Sequence, residues 1–232
     1  MRMIKPMLSL FLLFLCTYAT SQSTSVVQVS FVPTYKETLI LLDESTDEGL
    51  LLEDLSIETL RFYISGIALY QGEESVFTLV NSFHLIDAAS PSSLVIQFEV
   101  PESLAYTHIQ FKIGIDSLTN VSGALGGDLD PTKGMYWTWQ SGYINFKLEG
   151  VAERSPARHH RFQFHIGGYQ APFESVQTVK LGLKNKEAID IQVAIDKWLA
   201  SIDLGETYQI MSPNATAMKM AQRLPLIYSI KK

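Results

Sequence analysis

The chain has 232 residues, a net charge of −6, 47% hydrophobic residues and a single cysteine. Nucleic-acid binding needs clustered Lys and Arg, so this acidic balance speaks against a nucleic-acid partner. One cysteine excludes an internal disulfide framework or a cysteine-rich metal site.

Arg2 and Lys5 precede the apolar run MLSLFLLFLCTYA, and Ala19, Thr20 and Ser21 follow it. This pattern predicts a secretory signal peptide over residues 1–21, with an apolar run short for a membrane span and an A-x-S cleavage site. Leu15 before Cys16 is a poor match to a lipoprotein signal. Cleavage removes two positive charges and no acid, taking the net charge from −6 to about −8. It also removes Cys16, so a soft-metal site in the mature chain must use histidine, methionine or a modified aromatic. No later segment is apolar for long enough to be a membrane helix. The expected product is a single domain over residues 22–232 that works in the periplasm, at the cell surface or as a secreted protein.

From there the dominant period is two. VVQVSFV, YTHIQFKIGI, HRFQFHI and AIDIQVAI each alternate apolar with polar, as half-buried strands do. LRFYISGIALY, SVFTLVNSFHLI, SLVIQFEV, YWTWQSGYINFKLEG and SVQTVKLGL are further strands, divided by AASPSS, GGDLDPTKG and KNKE. RSPARHHR reads as a hairpin loop. Near the C-terminus IDKWLASI and SPNATAMKMAQRL read as short helices, the second with Ser212 as N-cap, Pro213 at its first position and Pro225 as its stop. The predicted fold class is all-β: an antiparallel β-sandwich or flattened barrel of about nine or ten strands with two short C-terminal helices.

Three segments carry a resemblance. They are LRFYISGIAL with NSFHLIDA, FKIGIDSLTNVSGALGGDLDPTKGMYWTWQSGYINFKLEG, and FQFHIGGY. Together they resemble the MbnP-like family of secreted and periplasmic proteins, related to methanobactin-associated MbnP and to the copper-binding surface proteins of methanotrophs. The resemblance spans roughly residues 26–195 and is most specific in the central block. It implies copper as cofactor, histidine ligands, a tryptophan oxidised to kynurenine, and a di-haem cytochrome c peroxidase-like partner.

Of the five histidines, His84 in FHLID and His165 in FHIGG match the family's motifs. Imidazole suits copper, so this pair is the candidate metal site; hydrogen-bonded structural histidines are the alternative. Strand alternation places His165 with Gln163 and Arg161, opposite the phenylalanines. On one continuous strand Trp137 and Trp139 would be neighbours on a shared face, a candidate redox-active or modified pair. Ser82 stands two residues before His84, so the tryptophan–histidine arrangement of the methanotroph proteins is absent there. Met211, Met218 and Met220 are candidate thioether donors, with core packing as the ordinary role. Asp116, Asn120, Asp128 and Asp130 crowd one Gly-rich loop; they either hold calcium or form turns by bonding their own backbone. No G-x-S-x-G, H-E-x-x-H or cysteine nucleophile is present, so no enzyme activity is expected. The functional expectation is a copper carrier or scavenger, set against a metal-free binding module that uses the aromatic-rich strand.

Overall fold

The computed structural model describes residues 23–43, 49–139, 142–183 and 188–231. The signal segment with Cys16, the KNKE turn, and Gln140 and Ser141 of the aromatic strand lie outside these residues. In chain order the strands are β1 (Thr24–Tyr35), β2 (Thr38–Leu39), β3 (Leu50–Leu51), β4 (Ser56–Gln71), β5 (Glu74–Thr78), β6 (Phe83–Asp87), β7 (Val95–Pro101) and β8 (His108–Ile113). They continue with β9 (Tyr136–Trp137), β10 (Gly142–Val151), β11 (Arg161–Gly167), β12 (Tyr169–Gln170), β13 (Phe173–Glu174), β14 (Gln177–Gly182), β15 (Ile189–Ala194), β16 (Gln209–Ile210) and β17 (Tyr228–Ile230). Among the described residues there are three short α-helices: α1 (Ser117–Val121), α2 (Ile195–Leu199) and α3 (Ala215–Ala221).

Two sheets share one core. The smaller runs β17-β15-β1 and continues through β1 to β2 and β7. The larger is built on β4, the longest strand. One edge of β4 pairs first with β10 and then with β8, and the other edge with β3, β6 and β5. Outside β10 lie β11 and β16, and outside β8 lies β14. Alternation decides what each strand buries. Val27, Val29 and Phe31 of β1 meet Phe62 and Ile64 of β4, Phe162, Phe164 and Ile166 of β11, and Ile189, Ile191 and Val193 of β15 in the core. Phe31 sets its ring edge-on to Phe62 at 6.1 Å and to Phe111 at 5.6 Å, the geometry the ring quadrupole favours.

The sandwich is mixed rather than wholly antiparallel. β15 pairs with β1 in parallel, and β16 with β11 in parallel, each after a long excursion of the chain. The last helix begins later than its sequence pattern suggests. Asn214 caps it by accepting from Ala217 N at 2.9 Å, so Ser212 and Pro213 precede the cap. A short 3-10 turn at Leu224–Ile227 carries Pro225 at its start.

The aromatic run is not one strand. It is a hairpin: β9 pairs with β10 through Trp137 opposite Gly142 and Tyr136 opposite Tyr143. Trp139 lies between the two strands and is exposed. The loop from Ile115 to Trp137 folds back over the outer face of the larger sheet. There it forms a second small core of Tyr63, Leu85, Ile115, Leu129, Met135, Trp137, Tyr143 and Ile144.

Close strand approach depends on Gly150, whose α-carbon faces backbone. A Cβ at this position would stand 2.0 Å from Ser56 O and 2.7 Å from the Phe162 ring. Gly150→Ala is therefore expected to cost about 3 kcal/mol or more, read as a lower thermal midpoint; an unchanged midpoint would show that β4 and β10 are not so tightly apposed.

Candidate functional site

Continuous register across four strands organises the outer face of the larger sheet. His165 of β11 is opposite Lys147 of β10, Lys147 is opposite Arg61 of β4, and Arg61 is opposite Asp87 of β6. Directly paired residues point to the same side, so these four form a polar row facing away from the main core. His165 is nevertheless buried, at 6% exposure. Its Nε2 lies 2.7 Å from Glu149 Oε1. Glu149 also accepts from Thr59 Oγ1 at 3.1 Å and from Gln163 Nε2 at 3.3 Å. Burial alone would raise the Glu149 carboxyl. The His165 hydrogen bond, the Lys147 charge and Thr59 outweigh it and hold the group down at about 2. Burial pushes the Lys147 ammonium below its ordinary value, with Glu149 pulling the other way. At the far end of the row Arg61 Nε donates to Asp87 Oδ2 at 2.6 Å.

His165 sits where this polar row meets the small aromatic core. Two residues further along β11, Gly167 faces the same side and lies under the six-membered ring of Trp137. A Cβ there would stand 2.7 Å from that ring. Trp137 is 6% exposed and Trp139, its centroid 5.9 Å away, is 66% exposed. Among the described residues four buried side-chain polar atoms lack a hydrogen-bond partner, and His165 Nδ1 and Trp137 Nε1 are two of them. An unpartnered buried polar atom is costly, so His165 Nδ1 marks its surroundings as a place built for something more. The chain after β16 passes here too. Ile210 is opposite Phe164, and Pro213 lies against Gly168, which carries Met211 past the His165 end of β11. Met211 is exposed, whereas Met135, Met218 and Met220 are buried in the two cores.

The structure does not bring His84 and His165 together. His84, on β6 at the edge of the sheet, is opposite Ile64. β6 is also three strands from β11, roughly 14 Å across the ladder. One ion cannot reach both rings. His84 is hydrogen-bonded to Ser82 Oγ, and burial lowers its pKa while Asp128 acts to raise it. It lines a cleft of about 530 Å³ together with Arg61, Asp87, Asp128, Thr132 and Lys133.

Asp116, Asn120 and Asp130 bond the backbone of their own loop. Asp116 caps α1 by accepting from Thr119 N at 2.9 Å, and Asp130 accepts from Thr132 N at 2.8 Å. Asn120 is buried; it donates to Ile115 O and Asp116 O and accepts from Tyr143 N at 2.8 Å. Asp128 ties the loop to the edge of β6, accepting from Leu85 N at 3.1 Å and pairing with Lys133 at 2.6 Å. The four do not converge on one point, and no cluster of three or more His, Cys, Asp or Glu groups able to hold a metal occurs among the described residues. Glu149 was the residue missed in the sequence. Its only signal was a second charge at alternate spacing from Lys147 on the polar side of FKLEG.

The family model described as MbnP matches residues 24–215. The chain belongs to the MbnP family. Among solved structures it is similar to MbnP from Methylosinus trichosporium, with a TM-score of 0.58 and 15% identity over 79% of this chain and 80% of that one. At that identity the likeness is one of fold. A search of curated proteins finds no significant match. No helix of this family member is long and apolar enough, among the described residues, to cross a membrane.

A depressed carboxyl stabilises the fold only while it is ionised. The contribution from Glu149 is complete above the ordinary 4.5 and is lost as pH falls toward about 2. Glu149→Gln should therefore be less stable than the parent near neutral pH, by on the order of 2 kcal/mol, with the gap closing as pH drops through this window. Urea denaturation at stepped pH measures it; a gap that stays constant with pH would contradict the ion-paired carboxylate.

Proposed function

We propose that this chain binds copper outside the cytoplasm at the corner where His165 meets Trp137. The observation that carries the reading is His165 Nδ1: a buried imidazole nitrogen with no protein partner, in a chain whose expected mature part has no thiol. Imidazole and thioether are donors that a soft cuprous ion accepts. His165 and Met211 are the residues on this corner that would hold the metal, and the aromatic ring of Trp137 would shield it from water. Copper bound there would supply a transferable ion, in keeping with a carrier or scavenger. His84, three strands away on β6, has no part in this version of the site.

The tryptophan pair suits a redox-active partner, for which the family resemblance suggests a di-haem cytochrome c peroxidase-like protein. Exposed Trp139 touches the surface where an oxidant could dock, and its ring meets that of buried Trp137. Periplasmic or cell-surface location follows from the expected signal peptide. A second reading, a metal-free binding module, is favoured by the cleft at His84, whose lining of two ion pairs and several hydroxyls suits a small polar ligand.

Competition titration with a cuprous chelator tests the proposal. His165→Ala should weaken binding by about 100-fold, as loss of one direct ligand does, whereas His84→Ala should leave it unchanged. If His84→Ala abolishes binding and His165→Ala does not, the site is the cleft and the assignment fails. Intact mass of the protein produced with the di-haem partner, compared with a Trp137→Phe variant, would show whether that tryptophan is oxidised.

A further inference from the structure

We infer that Glu149 is the positioning residue for His165: it holds the ring proton on Nε2 and so leaves Nδ1 bare for a ligand. The inference rests on the reading of His165 as a metal-facing residue, but its central claim concerns the metal-free protein. An ionised carboxylate only accepts hydrogen bonds, so at 2.7 Å from Glu149 Oε1 the His165 Nε2 must be the donor. In the neutral ring the lone pair is then on Nδ1, the atom that is buried without a partner. Tautomer and vacancy are two sides of one arrangement.

The carboxylate is itself fixed from three strands. Thr59 of β4 donates to Oε2, Gln163 of β11 donates to Oε1, and Lys147 on the same strand approaches to 4.0 Å. Such a group cannot easily swing away, so the imidazole is held in orientation as well as in protonation. A carboxylate behind a ligating histidine raises its basicity and fixes its ring, and its loss typically costs 10–100-fold in metal affinity. A purely structural ion pair would give a different signature, because a doubly protonated ring would leave an N–H rather than a lone pair at the buried Nδ1.

Long-range proton–nitrogen correlation on the metal-free, nitrogen-15-labelled protein reads the tautomer directly. The expected result for the wild type is a protonated Nε2 and an unprotonated Nδ1 on His165. Glu149→Gln, whose amide oxygen still accepts, should keep that tautomer and most of the affinity for cuprous ion. Glu149→Leu should mix the tautomers and weaken cuprous binding 10- to 100-fold. A proton on Nδ1 in the wild type overturns the inference, as does a tautomer indifferent to Glu149→Leu. If the Leu variant does not fold, the wild-type spectrum still decides, since a proton on Nδ1 overturns the inference by itself. A wild type with the expected, Glu149-dependent tautomer that takes no copper would sink the copper reading while leaving the positioning role of Glu149 intact.

Discussion

Strand register is the constraint from which the rest of this molecule follows. Because β11, β10, β4 and β6 are paired without slippage from His165 to Asp87, the identity of each residue on the outer face is decided by pairing alone. A shift of one residue in any pair would exchange the phenylalanines of the core for the charged row, at a cost of several buried aromatic side chains. The same constraint separates His84 from His165. The two histidines are thus assigned different surroundings by the strands that carry them, β6 at one edge of β4 and β11 beyond β10.

The outer face is divided in two. One part is a charged network, half-buried and closely paired; the other is the aromatic core built by the returning loop. Charges that lose water must find partners, and Glu149 illustrates it, with Lys147, His165, Thr59 and Gln163 all around one carboxylate. The aromatic part needs no such network, since Tyr63, Tyr143 and Tyr136 pack their rings edge to face. His165 and Trp137 lie on the boundary, where neither system satisfies the last nitrogen of each. Loop residues Asp116, Asn120 and Asp128 matter to this boundary indirectly, by anchoring the covering loop to β10 and to the edge of β6.

Much of the fold was legible in the sequence because two-residue alternation reports a half-buried strand whatever its neighbours. Ile109, Phe111 and Ile113, or Phe162, Phe164 and Ile166, are buried just as their spacing implies. Pairing partners and direction were not legible, since β1 meets β15 and β11 meets β16 only after long detours of chain. The break in the aromatic run was hidden by composition: Thr138 and Trp139, where β9 gives way to a turn, are neither glycine nor proline. Helix α3 starts two residues later than Ser212 suggests because Asn214, also a strong cap, wins the competition. For the site, sidedness placed His165 correctly off the main core, while the belief that it would meet His84 depended on topology that no local pattern encodes. Glu149 became meaningful only when the ladder set it beside His165.

Anomalous diffraction at the copper edge from crystals grown with cuprous ion tests the account most directly. The expected result is a single peak within bonding distance of His165 Nδ1, on the Trp137 side of the sheet. A peak in the cleft beside His84, or none in crystals of protein that has taken up copper, would contradict it.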